Sequence, residues 1–194
     1  MKNKRLYIAY GSNLNVRQMA MRCPAAKIIG TGELQNYELQ FKGCPSSAFA
    51  TIAPIKGLIV PVLIWELQKK DEKALDLYEG FPSHYYKQNM PVTIGNKQDT
   101  AMVYIMSPKR DFGIPSNRYY NTLLEGYDKL GFNVNILNDA VDKSIAEFRK
   151  LGVKQSSLFD YEVQQDDIED DENLCNENEI EEDDNFFYDN QLHL

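Results

Sequence analysis

Two short segments of this 194-residue chain carry residue types that can do chemistry. The first, Tyr10-Gly11-Ser12-Asn13-Leu14, falls where a strand should give way to a helix. Gly11 lets backbone approach a ligand closely, and consecutive N–H groups ahead of a helix form a nest for anions. The second, Tyr78-Glu79-Gly80-Phe81-Pro82, puts a carboxylate at a helix end, where the dipole does nothing to stabilise it. Tyr78, Phe81, Tyr85 and Tyr86 can desolvate Glu79 and lift its pKa toward the range useful to a general acid or base. Each segment has a plain structural alternative, an ordinary strand-to-helix turn for the first and a surface glutamate for the second.

Other chemistries find little support. The two histidines, His84 and His193, have no partner at metal-ligand spacing, and no Cys-x-x-Cys pair occurs, so no metal site is expected. There is no Gly-x-Ser-x-Gly elbow and no phosphate-binding Gly-x-x-x-x-Gly-Lys, and Gly30-Thr31-Gly32 alone is too short for a nucleotide fingerprint. No cofactor is implied. The three cysteines, Cys23, Cys44 and Cys175, are few and widely spaced, which reads as free thiols in a reducing compartment. No window approaches the ~18 apolar residues of a membrane span, and the N-terminus lacks a signal-peptide core. These features point to a cytoplasmic protein with no membrane partner.

The elements that must position the two segments follow from pattern and punctuation. Leu6–Tyr10 is a strand; Asn13 or Asn15 caps a helix over Val16–Arg22, which Pro24 stops. Ile28–Phe41 alternates like a strand with one wet face, and Gly57–Leu67 is the most apolar run. Pro61 within it calls for an edge, a bulge or a barrel rim. Lys69–Tyr78 is a helix with Asp71 as its cap, ended by Gly80. Tyr86–Ile94 and Thr100–Met106 make a hairpin across Gly95-Asn96, and Ser116–Leu130 is helical. A last helix carries Leu137, Val141, Ile145 and Phe148 on one face and ends at Gly152. This order lacks the regular alternation of a doubly wound sheet, so an α+β domain with a bent or barrel-like sheet is expected.

The formal net charge of -8 hides two different objects. Residues 1–154 hold all 21 Lys and Arg against 14 Asp and Glu, whereas 155–194 hold 15 Asp and Glu. The first part reads as the folded domain, the second as an acidic tail too charged to collapse, which could recruit a basic protein partner. The basic residues of the domain are scattered and the tail would compete for them, so no nucleic-acid partner is expected.

Leu6-Tyr7-Ile8-Ala9-Tyr10-Gly11-Ser12-Asn13-Leu14, with Gln18-Met19 and Arg22-Cys23-Pro24 after it, closely resembles the N-terminal signature of the γ-glutamylcyclotransferase-like (AIG2-like) family. Leu75-Asp76-Leu77-Tyr78-Glu79-Gly80 is similar to that family's glutamate segment, Tyr86 to a site tyrosine that opens a strand, and Pro115-Ser116-Asn117-Arg118-Tyr119 to its Pro-Ser-x-x-Tyr helix start. The resemblance implies a small mixed domain around a distorted β-barrel-like sheet. It also implies conversion of a γ-glutamyl amino acid or amine to 5-oxoproline with release of the free amine. By the same resemblance Glu79 is the general acid/base, and Tyr10, Gly11, Ser12, Asn13, Leu14, Tyr86 and Tyr119 bind a small γ-glutamyl substrate. A non-catalytic small-molecule binding protein, or an acidic-tailed interaction module on the same fold, is the alternative.

Overall fold

The structure, a computed structural model, describes residues 4–159. Strand β1 (Arg5–Ala9) leads through a 3-10 turn (Ser12–Leu14) into helix α1 (Val16–Arg22). Two long strands follow, β2 (Lys27–Cys44) and β3 (Ser47–Leu67), then α2 (Lys69–Tyr78), the hairpin β4 (Tyr85–Ile94) and β5 (Lys97–Met106), α3 (Asn117–Leu130) and α4 (Val134–Phe159). The five strands close a barrel in the order β1-β3-β2-β4-β5. β1 runs parallel to β5, every other pair is antiparallel, and the short β2–β4 contact at Gly32–Glu33 completes the circle. The expected α+β class with a barrel-like sheet is the one observed.

The long β2–β3 hairpin is the main surprise. It turns on Pro45 and Ser46, between the paired Cys44 and Ser47, in a stretch whose prolines and serines hide the strand pattern. Pro61 sits where a rim residue should. β3 pairs with β1 only from Leu63 onward, so Pro61, opposite Glu33 on β2, has no strand on its other flank. Ile8, Leu34, Phe41, Val62, Ile64 and Val103 are sealed from solvent as the barrel core. At ~1.5–3 kcal/mol for each such side chain, their burial is what holds the strands in register.

Helix ends place the functional segments. Asn15, rather than Asn13, caps α1, its Oδ1 accepting from the amides of Arg17 and Gln18. Gln68, not Asp71, is the cap of α2; Asp71 instead reaches back from the first turn to accept from the Gln68 amide at 2.9 Å. α2 ends in a Schellman turn, with Phe81 N–H on Asp76 O, Gly80 N–H on Leu77 O and Gly80 left-handed at φ 60. That turn fixes Glu79 as the last helical-type residue. α3 begins at Ser116, whose hydroxyl accepts from the Tyr119 amide, and it crosses the 3-10 turn at Gly126. A Cβ at Gly126 would lie 2.8 Å from Leu14 Cβ, so only glycine allows this approach.

Two further expectations fail. α4 does not stop at Gly152 but continues to Phe159, since a glycine without a left-handed φ merely weakens a helix. Cys44 is disulfide-bonded rather than a free thiol, whereas Cys23 is free and buried, with its thiol pushed up to about 11 mainly by desolvation. The acidic tail expected over 155–194 lies, past Phe159, outside the described residues.

The Tyr127 ring, on the buried face of α3, is sealed from solvent, and its hydroxyl has no partner among the described residues. Tyr127→Phe should therefore raise stability by about 1 kcal/mol, because it removes an unpaired buried hydroxyl without opening a cavity. Urea denaturation of both proteins checks this; a loss of stability would mean the hydroxyl is satisfied.

Candidate active site

At one end of the barrel, the end of β1 and the 3-10 turn meet the C-terminus of α2 and the start of α3. A tight recess opens there, about 20 Å³ in volume, and Tyr10, Gly11, Ser12, Asn13, Glu79 and Tyr119 line it. The structure thus brings together six of the eight expected site residues. The other two fall elsewhere. Leu14 is wholly buried beneath the turn, and its amide donates to Gly11 O at 2.9 Å, which leaves it nothing to offer a ligand. Tyr86 is 40% exposed on the outer face of β4. Alternation along the strand turns its neighbour inward instead: Tyr85 is buried, lines the recess and donates its hydroxyl to Ala50 O at 2.9 Å.

Glu79 shows part of its surface at the helix end. Its carboxyl, however, lies among the rings of Tyr7, Tyr10, Tyr85, Tyr104 and Tyr119. Desolvation there pushes its pKa up to about 7, against the opposing pull of Arg22 and of the Asn13 hydrogen bond. Phe81, by contrast, is 40% exposed and packs under the Lys87 ammonium, so the tyrosines and not Phe81 dry the carboxyl. Asn13 donates from Nδ2 to Glu79 Oε1 at 2.8 Å and to Tyr7 Oη at 2.9 Å. The Trp65 indole N–H holds the Asn13 carbonyl at 3.2 Å, and Ser12 Oγ meets Tyr78 Oη at 3.0 Å.

The hydroxyls sort by where their protons go. Tyr10 donates to Tyr104 O at 2.6 Å and Tyr104 to Asp76 Oδ1 at 2.6 Å, so both protons are committed outside the recess. Tyr119 Oη instead accepts from the Ala50 amide at 3.2 Å and is further held by the Ser12 amide. Tyr7 Oη accepts from Asn13. The protons of Tyr7 and Tyr119 are thus the ones these bonds leave for a guest, and burial raises both pKa values so that both stay protonated at neutral pH. Tyr7, Ala50 and Tyr104 were not legible as site residues, whereas Tyr85 was expected beside Glu79; Tyr7 and Tyr104 become neighbours only when β1 pairs with β5, placing their rings edge-on at 5.7 Å.

The run from Tyr7 through Glu79 to Tyr119 lies within residues 7–121, which match the family model described as gamma-glutamyl cyclotransferase, AIG2-like. The chain belongs to that family. It is 30% identical over 135 residues to the gamma-glutamylcyclotransferase of Homo sapiens, a span of 65% of this chain and 71% of that protein. Among solved structures, a gamma-glutamyl cyclotransferase superposes with a TM-score of 0.65 at 26% identity, covering 71% of this chain and 86% of that one. An uncharacterized protein from Homo sapiens superposes equally well, TM-score 0.65 at 27% identity over 72% of this chain and 87% of that one. In this gamma-glutamyl cyclotransferase family member, the matched span contains every residue of the recess and excludes α4. Among the described residues no cluster of three or more His, Cys, Asp or Glu is placed to hold a metal ion, and no helix is long and apolar enough to cross a membrane.

Proposed function

We propose that this chain is a γ-glutamylcyclotransferase that closes the γ-glutamyl group of a small γ-glutamyl amino acid or amine into 5-oxoproline, with Glu79 as general acid/base. One observation carries the reading: a desolvated carboxyl with a pKa of about 7, oriented by Asn13, at the wall of a recess ringed by tyrosines. The reaction asks for little else. The substrate's own α-amine attacks its γ-carbonyl carbon, forming the lactam C–N bond, so the protein supplies no nucleophile. Glu79 takes the proton from the α-ammonium and returns it to the departing nitrogen as the original γ-amide C–N bond breaks. Folding the substrate so that amine and carbonyl touch is the contribution of the recess walls.

The tetrahedral intermediate carries an oxyanion. The uncommitted hydroxyl protons of Tyr7 and Tyr119, with the backbone of Gly11–Asn13 beside them, are suited to stabilise it. Loss of one such donor costs roughly 3–4 kcal/mol, a factor of about 10²–10³. No resident cofactor enters this chemistry.

The test is release of 5-oxoproline from a panel of γ-glutamyl amino acids and amines, read by mass spectrometry. Its pH dependence is also specified. The reactive complex holds one proton between Glu79 and the substrate amine, so kcat/KM should rise with pH through about 7 as Glu79 ionises. It should fall again above roughly 8, as the amine loses the proton that Glu79 must relay. A profile flat between about pH 5 and 8 would remove Glu79 from this role. No release from any member of the panel by a folded sample would remove the enzyme.

A further inference from the structure

Arg22 ends α1 and does not line the recess, yet it touches Asn13, which does, and Tyr78, whose hydroxyl meets Ser12. Nη1 donates to Asn13 Oδ1 at 3.0 Å, Nη2 donates to Gln18 Oε1 at 2.8 Å, and the guanidinium lies 3.8 Å over the Tyr78 ring. A guanidinium can only donate. Asn13 must therefore turn its oxygen toward Arg22, which commits its NH2 to Glu79 Oε1 and Tyr7 Oη. The flipped amide would set NH2 against N–H on one side and oxygen against a carboxylate on the other. The bond network thus decides an orientation that the shape of the amide alone leaves open.

We propose that Arg22 is a positioning residue: by locking the Asn13 amide it keeps Glu79 Oε1 an acceptor throughout turnover and leaves Oε2 as the atom that takes and returns the proton. The inference rests on the cyclisation reading above and adds to it the identity of the working oxygen. Without a donor-only group at this position, Asn13 can flip and accept from a protonated Oε1. The proton would then be stored on the oxygen already bonded within the protein. Arg22 also opposes the desolvation of the ionised form directly.

The groups facing the carboxyl from the packed elements are Tyr7 on β1, Tyr10 just after it, Tyr85 on β4, Tyr104 on β5, Tyr119 on α3 and Arg22 on α1. The tyrosines stay neutral across the neutral range, since burial and the Glu79 charge both raise their pKa values. Of these groups Arg22 alone is a cation. His84 packs against the adjacent Gly80 and is common to all the variants compared, so differences between them do not come from it.

The experiment uses the full-length chain with Arg22→Gln and Arg22→Lys beside the wild type. The Glu79 carboxyl is titrated by carbon-13 NMR, with Glu79→Gln to assign the signal, and 5-oxoproline release is followed against pH. Gln can accept as well as donate and is neutral, so both the lock and the charge are lost. The Glu79 midpoint and the acid limb of kcat/KM should move together to higher pH by ~1, and kcat at pH 7 should fall about tenfold with KM little changed. Lys is again a donor-only cation and should restore the midpoint, with incomplete recovery of kcat because a point charge cannot span Asn13, Gln18 and the Tyr78 face. An unmoved midpoint in a folded Gln variant, or equal losses in Gln and Lys with no movement of either limb, overturns the proposal. A midpoint that moves as expected in a wild type and variant that release no 5-oxoproline supports the lock and rejects the cyclisation reading instead.

Discussion

Glu79→Gln should lower kcat for 5-oxoproline release by about 10²–10⁴-fold while KM changes little. The amide keeps the size of the carboxylate and still accepts from Asn13 Nδ2, as Glu79 Oε1 does at 2.8 Å, so the recess keeps its shape. What it cannot do is carry the proton. The same variant should gain stability at alkaline pH, and the sign of that effect is fixed by linkage. An unfolded glutamate ionises near its ordinary value of 4.5, whereas folded Glu79 ionises at about 7. Stability is therefore lost as pH rises across that window, because the folded protein holds a proton the unfolded chain has released. Gln has no such proton. Activity and stability moving in opposite directions, measured by turnover and by urea melts at about pH 5 and pH 8, would mark a functional carboxyl kept at a structural cost. Equal turnover by both proteins would retire Glu79 as the acid/base.

The largest loss of stability tied to the site is expected at Trp65. This side chain is 4% exposed on β3, paired across the sheet with Tyr7 on β1 and Ile28 on β2, and its indole N–H holds the Asn13 carbonyl at 3.2 Å. Trp65→Ala should cost about 3–5 kcal/mol, from lost transfer energy and the cavity left behind. Trp65→Phe keeps most of the packing but strands the Asn13 carbonyl, for about 1–3 kcal/mol. The Phe variant should also lose turnover beyond its loss of stability, since the turn that aims Asn13 at Glu79 is no longer tied to the barrel. Unfolding free energies of the Ala and wild-type proteins within about 1 kcal/mol of each other would show that Trp65 is not part of the core.

The parts of this molecule that were legible in the sequence are those with local causes. Gly80 announces the end of α2 because the Schellman turn needs a left-handed residue, and this also places Glu79. Gly95-Asn96 announces a hairpin for the same kind of reason. What was missed depends on partners distant in the chain. Tyr85 and Tyr86 are indistinguishable until the pairing of β4 with β5 says which faces inward, and a one-residue slip exchanges them. Leu14 looked like a ligand contact, yet its amide is consumed by the 3-10 turn. Arg22 stood in the sequence as the end of a helix and as part of the N-terminal signature, with no role attached to it. Nothing local reveals that α1 points it at Asn13 and Tyr78.

The closure of β1 against β5 has a consequence for how the recess is assembled. Tyr7 pairs with Met102, and Ile8 with Val103, across some of the longest sequence separations in the sheet. Contacts of that span are among the slowest to form, because a large loop must close before they repay its entropy. The recess draws on Tyr7 near one end of the folded region and Tyr119 well beyond the last strand. A complete recess should thus be a late event in refolding, trailing the recovery of helical signal. During synthesis it cannot appear on a nascent chain until α3 has left the ribosome, however early the Tyr10–Leu14 turn and α2 take their local shapes.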